Sequence, residues 1–202
     1  FETTNQEPQF KNYVRHIYRA YSLAAEENLQ DLYKRLTNHS YHPSHASKLF
    51  FPKKSGILRP YSLLTIEDQI VYQALVNVVA EKLPPHVRKR YGKQVFGHIY
   101  AGKRSLCFYQ DWKKAYAKFA KVMRKAFDEG YTYTASFDLT ACYDSIDHRV
   151  IKHFLSDMGM EEEFCNFLCR MEMSILVKFV FRFFYFVFLS EVAVFINDSK
   201  YY

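Results

Sequence analysis

Between residues 10 and 36 apolar side chains recur every three or four positions. Phe10, Tyr13, Val14, Ile17, Tyr18 and Tyr21 make one stripe, and Leu29, Leu32, Tyr33 and Leu36 make a second. This spacing predicts two amphipathic helices with a break within residues 22–27. Residues 38–47 are rich in Asn, Ser, His and Pro and read as a loop. Two short apolar runs then flank Ser55-Gly56, which predicts a β-hairpin. A helix follows at Thr65, whose hydroxyl suits an N-cap, with Asp68 in its first turn at the positive end of the dipole. Ile70, Val71, Ala74, Leu75, Val78 and Val79 are its expected apolar face, and Pro84-Pro85 ends it.

The second half of the chain continues the alternation. Residues 108–127 predict a helix with Trp112, Tyr116, Phe119, Met123 and Phe127 at helical spacing and Gly130 as its C-terminal stop. Lys113, Lys114, Lys118, Lys121, Arg124 and Lys125 crowd its other faces. An aromatic stripe of this kind is expected to be core rather than a stacking platform. Tyr131-Thr132-Tyr133-Thr134-Ala135 is aromatic and β-branched and predicts a strand that ends at Asp138. After an Asp-rich turn, with Asp144 or Asp147 as N-cap, Val150, Ile151, Phe154, Leu155 and Met158 mark another helix, stopped by Gly159. Residues 161–173 predict one more.

Residues 174–196 break the pattern. They are dense in Phe and Val, with Lys178, Arg182 and Glu191 as their only charges. The length suits a membrane span, but ionisable side chains inside it are costly, so membrane association is not expected. The other reading is a truncated or disrupted continuation of the preceding domain.

Composition places the chain among globular proteins: 202 residues, 49% hydrophobic and 24% charged, enough for one large domain or two small ones. It opens on Phe rather than Met, as a fragment or processed chain would, and residues 1–9 are polar and acidic rather than a secretory leader. Cys107, Cys142, Cys165 and Cys169 lack zinc-finger spacing, and a reducing cytoplasm is the expected setting. Cys165 and Cys169, one helical turn apart, read as small core residues. His39, His42 and His45 fall in one loop, but Pro43 interrupts any shared face and no acidic or Cys partner is near, so a polar loop is expected rather than a zinc site.

The net charge of +7 matters less than its distribution. Residues 48–130 hold 17 lysines and arginines against 6 acids, interleaved with aromatics such as Phe51, Tyr91, Phe96, Tyr100 and Trp112. A basic surface bearing aromatics suits a nucleic-acid backbone and its bases. A solvated basic face around core aromatics is the plainer alternative.

The candidate chemistry sits in Ser136-Phe137-Asp138-Leu139-Thr140-Ala141-Cys142-Tyr143-Asp144-Ser145-Ile146-Asp147-His148. A carboxylate at the end of a buried strand is costly unless a metal ion or a basic side chain meets it. Tyr143, five residues on, brings a planar side chain back near that carboxylate. The pattern Asp-x-x-x-x-aromatic-Asp-x-Ile-Asp-His resembles motif A of reverse transcriptases, close to the group II intron and related bacterial type. Upstream, Pro52-Lys53-Lys54-Ser55-Gly56-Ile57-Leu58-Arg59-Pro60 is similar to the fingers hairpin of the same family. Cations around a hairpin tip suit a triphosphate clamp, because Arg can hold phosphate oxygens bidentately and Lys adds a point charge. The next helix, with Glu67-Asp68-Gln69-Ile70-Val71-Tyr72-Gln73-Ala74, looks most like the bacterial defence-associated "unknown group" enzymes. Residues 95–105, with Gly102, Lys103 and Arg104, resemble the segment that meets template.

The resemblance implies an α+β fold: the fingers and an incomplete palm of a right-hand polymerase, mostly helical, with a fingers β-hairpin and a short palm sheet. It implies an N-terminal helical extension over 1–46, fingers over 47–130, the beginning of the palm over 131–173, and a hydrophobic tail of no assigned kind over 174–202. It implies RNA-directed DNA synthesis by a two-metal mechanism, with Asp138 and the Leu139 backbone carbonyl on magnesium. Lys53, Arg59 and Tyr143 would meet the incoming deoxynucleoside triphosphate, and Lys54, Lys103 and Arg104 the nucleic acid. The partners would be an RNA template and a DNA or protein primer. The chain departs from the family in one decisive respect: it contains no Asp-Asp dipeptide, so the magnesium site is incomplete and the chain alone is expected to be inactive. The competing class is a non-catalytic basic module that binds nucleic acid.

Overall fold

The computed structural model describes residues 11–52, 56, 58–135, 147–175 and 194–196. They form an α+β arrangement, mostly helical, with two small two-stranded antiparallel sheets. The elements in chain order are α1 (Lys11–Leu23), α2 (Ala25–Thr37), β1 (Ser47–Pro52), β2 (Leu58–Leu63), α3 (Ile66–Glu81), α4 (Pro85–Arg88), α5 (Trp112–Asp128), β3 (Tyr133–Ala135), α6 (His148–Asp157), α7 (Glu162–Ile175) and β4 (Val194–Ile196). Two compact units result. The first comprises Phe1–Val78 with Gly159–Val177, and the second comprises Val79–Met158 with Lys178–Tyr202.

In the first unit, α1 and α2 break at Ala24, inside the expected interval. Glu26 and Glu27 open α2 and Lys34 and Arg35 close it, each matching the sign of the dipole end it occupies. Tyr18 and Ile66 are buried together, with Tyr21, Leu63 and Ile70 packed against them. Of the two expected stripes, Tyr18 and Leu32 are buried, whereas Ile17 and Tyr33 face solvent. The strands β1 and β2 pair from Ser47↔Leu63 to Pro52↔Leu58, which leaves residues 53–57 as the connection. Gly56 there has φ +80°, a left-handed conformation that glycine adopts without steric cost. Phe50 and Leu58 lie on one face of the hairpin by the register, and both are exposed.

The start of α3 follows the capping expectation: the Asp68 backbone N–H donates to Thr65 Oγ1 at 3.1 Å. Its buried face differs from the expected one. Val71 and Val79 are inside, as are Tyr72, Val76 and Ala80, while Ala74 and Val78 are exposed. Apolar residues occur all round this helix, so periodicity alone did not fix which of them faces inward. In α7, Cys165, Leu168 and Met171 are buried, in keeping with a core role for that stretch.

In the second unit α3 ends at Glu81 and Pro85 begins the single turn of α4. Helix α5 starts at Trp112 rather than at 108, because Asp111 caps it by accepting from the Lys113 backbone N–H. Residues just before it are engaged elsewhere: Tyr109 bridges to Tyr100. The helix stops in a Schellman motif, with Tyr131 N–H bonded to Ala126 O and Gly130 N–H to Phe127 O, each at 3.0 to 3.1 Å. Strand β3 then pairs with β4, Ala135 opposite Val194 and Tyr133 opposite Ile196. The hydrophobic stretch after residue 174 thus supplies the partner of the strand that leads toward Asp138. Among the described residues no helix is long and apolar enough to cross a membrane.

Candidate nucleotide and nucleic-acid interface

Two stretches carry the candidate chemistry, one in each unit. In the first unit, Lys53 and Lys54 fall in the hairpin connection and lie outside the described residues. Arg59 belongs to β2, its backbone opposite Phe51 and one residue from the connection's end of the ladder. In the second unit β3 ends at Ala135, three residues before Asp138. Asp138, Leu139, Tyr143 and Asp144 lie outside the described residues. The described chain resumes at Asp147, which caps α6 by accepting from the Arg149 backbone N–H at 2.8 Å.

Asp147 is held by more than its cap. The Arg149 guanidinium donates to Oδ2 from both Nε at 2.9 Å and Nη2 at 2.5 Å, and Nε also reaches Oδ1 at 3.1 Å. These bonds pull its pKa down to about 2 and raise that of Arg149. Of the acids in this Asp-rich turn, Asp147 is therefore a cap and an ion-pair member.

Lys103 and Arg104 sit in the loop after Gly102, and both are exposed. Lys103 Nζ lies 3.4 Å from a Glu81 carboxylate oxygen, so part of its charge is already answered. Arg88, in the basic run 88–90, donates to the Glu81 carbonyl at 2.7 Å and so closes the C-terminal end of α3. Lys89 and Arg90 beside it are exposed.

Helix α5 corrects an expectation. Its inner side is Ala126, with Phe119 partly buried and edge-on to Phe96 at 5.5 Å between centroids. Trp112, Tyr116 and Phe127 are 70%, 64% and 60% exposed. The stripe expected to be core is thus only partly so. Trp112 stands in the first turn and Phe127 in the last.

No family model matches the chain, and no curated protein matches it.

Three further polar residues were legible in the sequence only as local features. Asp68 is 1% exposed and accepts four hydrogen bonds from three donors. It accepts from the Tyr41 hydroxyl, from Thr65 Oγ1 at 2.6 Å, and from the Ser44 backbone N–H at 3.3 Å from each oxygen. The His-rich loop is therefore pinned at Tyr41, while His39, His42 and His45 are exposed. Burial first, and the bond to Asp68 second, push the Tyr41 phenol well above its usual range. Arg35 bridges Asp31 at 2.7 Å and Glu67 at 2.6 Å, which raises its pKa, chiefly through Glu67. These bonds tie the His-rich loop and α2 to the start of α3. Among the described residues no group of three or more His, Cys, Asp or Glu is placed to hold a metal.

Proposed function

We propose that the chain is the fingers and the opening palm strand of an RNA-directed DNA polymerase of the bacterial reverse-transcriptase kind. The observation that carries this reading is an antiparallel hairpin whose connection holds Lys53 and Lys54 and whose return strand holds Arg59, followed at once by a capped helix. Further support comes from the order of parts along the chain, with the exposed Lys103 and Arg104 next and strand β3 leading toward Asp138 last. On this reading Lys53 and Arg59 grip the polyphosphate of a deoxynucleoside triphosphate. Tyr143 packs beneath its sugar and excludes a 2′-hydroxyl. Lys54, Lys103 and Arg104 meet the nucleic acid, an RNA template with a DNA or protein primer.

The reaction class is nucleotidyl transfer: a primer 3′-hydroxyl attacks the α-phosphate, a new P–O bond forms, and pyrophosphate leaves. Magnesium, held by Asp138 and the Leu139 carbonyl, would neutralise charge on the phosphate oxygens. With no Asp-Asp pair in the sequence, the 202-residue chain binds and orients but does not polymerise at an appreciable rate.

Binding of labelled deoxynucleoside triphosphate with and without magnesium tests the reading, alongside primer extension. Magnesium-dependent binding that disappears in Asp138→Asn, with negligible extension, is the expected result. The exposed cations Lys89, Arg90, Lys103 and Arg104 favour a second reading, a basic module without catalysis. That reading takes over if RNA binding falls with salt while nucleotide binding ignores both magnesium and Asp138.

A further inference from the structure

Lys114, Lys118 and Lys121 share one face of α5, within about 60° of arc at helical spacing, and all three are exposed. This face is opposite the one that carries Trp112 and Tyr116, so neither exposed ring stands among the lysines. The turn before the helix extends it. A methyl group built on Gly92 would lie 3.7 Å from Lys118 Cδ and 3.9 Å from its Nζ, so the Lys118 side chain runs across the Gly92 backbone. Phe96, four residues on, meets Phe119 of the helix edge-on and holds the segment there. Arg90 and Lys93 flank Gly92 and are exposed. Like charges gathered this way repel one another unless acids relieve them. The acids described between residues 79 and 158 are engaged elsewhere. Glu81 meets Lys103, Asp128 meets Arg124 and Glu129 meets Lys125. Asp147 holds Arg149, Asp157 faces His153, and Asp111 caps α5. Among the described residues no ion pair answers Arg90, Lys93, Lys114, Lys118 or Lys121.

We propose that this surface receives the phosphate backbone of a nucleic-acid duplex, with the three lysines of α5 and the adjoining Arg90 and Lys93 meeting phosphate oxygens. Its composition selects that partner. Protein interfaces are enriched in aromatic residues and depleted in Lys, whereas here Lys dominates and no exposed ring is interleaved. A lipid surface needs an apolar anchor on the side that carries the charge. On α5 the exposed rings point away from the lysines, so the two cannot sit on one bilayer face. A single strand gains from stacking its bases on aromatic side chains, which this face lacks. A duplex keeps its bases stacked within itself and shows phosphates that lysines meet as point charges, without regard to sequence. The proposal rests on the nucleic-acid part of the reading above and adds the form of the ligand and the surface that takes it. It does not involve Asp138, Lys53 or Arg59.

The full chain is titrated across a salt series with a labelled blunt DNA duplex, and separately with one of its strands, by fluorescence anisotropy. The wild type should bind the duplex more tightly than the strand. The triple variant Lys114→Gln, Lys118→Gln, Lys121→Gln should weaken duplex binding at low salt by at least an order of magnitude, about tenfold or more, and flatten the salt slope by about 0.9 for each lysine that meets a phosphate. Binding of the strand should change far less. Arg90→Gln with Lys93→Gln should shift duplex binding in the same direction. Gln matches Lys in helix propensity, and circular dichroism checks that each variant is folded. The proposal is overturned if the duplex does not bind at low salt, or if the triple variant keeps the wild-type affinity and slope. It is equally overturned if strand and duplex lose affinity alike, or if poly-glutamate or phosphatidylserine vesicles displace the duplex at equal charge. Duplex binding lost in Lys103→Ala, Arg104→Ala but intact in the triple variant would sink this proposal and leave the nucleic-acid reading standing. Duplex binding that depends on the α5 lysines, in a chain with no magnesium-dependent nucleotide binding, would support it and sink the polymerase reading.

Discussion

Tyr72 on α3 and Glu172 on α7, a hundred residues apart in sequence, are joined by a buried hydrogen bond of 2.6 Å from the phenol to a carboxylate oxygen. Glu172 is 2% exposed and Tyr72 is 4% exposed, so the bond lies in the interior of the first unit. It ties the helix after the hairpin to the last helix of the described chain.

Removing the phenol oxygen with Tyr72→Phe should therefore destabilise the first unit by about 1–3 kcal/mol, the usual cost of taking a partner from a buried polar group. Glu172→Gln keeps an acceptor and should cost less. Urea unfolding followed by far-UV circular dichroism measures both. Equal midpoints for wild type and Tyr72→Phe would show that the bond adds nothing.

The Tyr41–Asp68 contact predicts an alkaline limit. The folded state raises the Tyr41 phenol above its ordinary value of 10.0. A raised pKa means that folding favours the protonated form. Its contribution is complete below pH 10 and shrinks as the pH climbs past it, because only the unfolded chain then loses the proton. Unfolding free energy should fall on the alkaline side of pH 10, and Tyr41→Phe should flatten that decline. Parallel curves for the two proteins would assign the alkaline loss to other groups.

These two pairs mark the boundary of what the sequence could say. The break at Ala24, the hairpin around Gly56, the Thr65 cap and the Gly130 stop are local: each depends on residues a few positions apart, and each was readable. The partner of Asp68 was not, because nothing in residues 65–68 announces Tyr41. Asp68 looked like a dipole match and is in fact the point where a loop is fastened. The exposed face of α5 was misjudged for a related reason. Spacing shows that Trp112, Tyr116 and Phe127 share a side, but not how far the surface beneath them extends. The candidate metal and sugar contacts, Asp138, Leu139 and Tyr143, rest on motif resemblance and on the strand that leads to them.

Lys103 and Arg104 differ in a way that nucleic-acid binding should register. Lys103 already faces Glu81 at 3.4 Å, whereas Arg104 is exposed with no ion pair among the described residues. A cation that neutralises a phosphate contributes about one counterion to the salt dependence. Arg104→Ala should lower the slope of log affinity against log salt by about 0.7 for a single-stranded RNA. Lys103→Ala should lower it by less, since part of its charge is answered within the protein. Fluorescence anisotropy with a labelled RNA across a salt series reads both slopes. Identical slopes for wild type and Arg104→Ala would remove Arg104 from the interface.

The hairpin supplies the sharpest test of the nucleotide reading, because its cations have different jobs. Arg59 stands in the paired return strand, opposite Phe51, and a guanidinium there can make two parallel bonds to phosphate oxygens. Arg59→Lys keeps the charge and loses that fork, so it should still weaken deoxynucleoside triphosphate binding, on the order of tenfold for one charge-assisted bond lost. Lys53→Arg, in contrast, keeps a cation at a position where a point charge suffices, and should cost little. Isothermal titration with magnesium present compares the two. Should Arg59→Lys bind as wild type does while Lys53→Ala also has no effect, the hairpin does not clamp a triphosphate, and the basic-module reading becomes the better account of its charges.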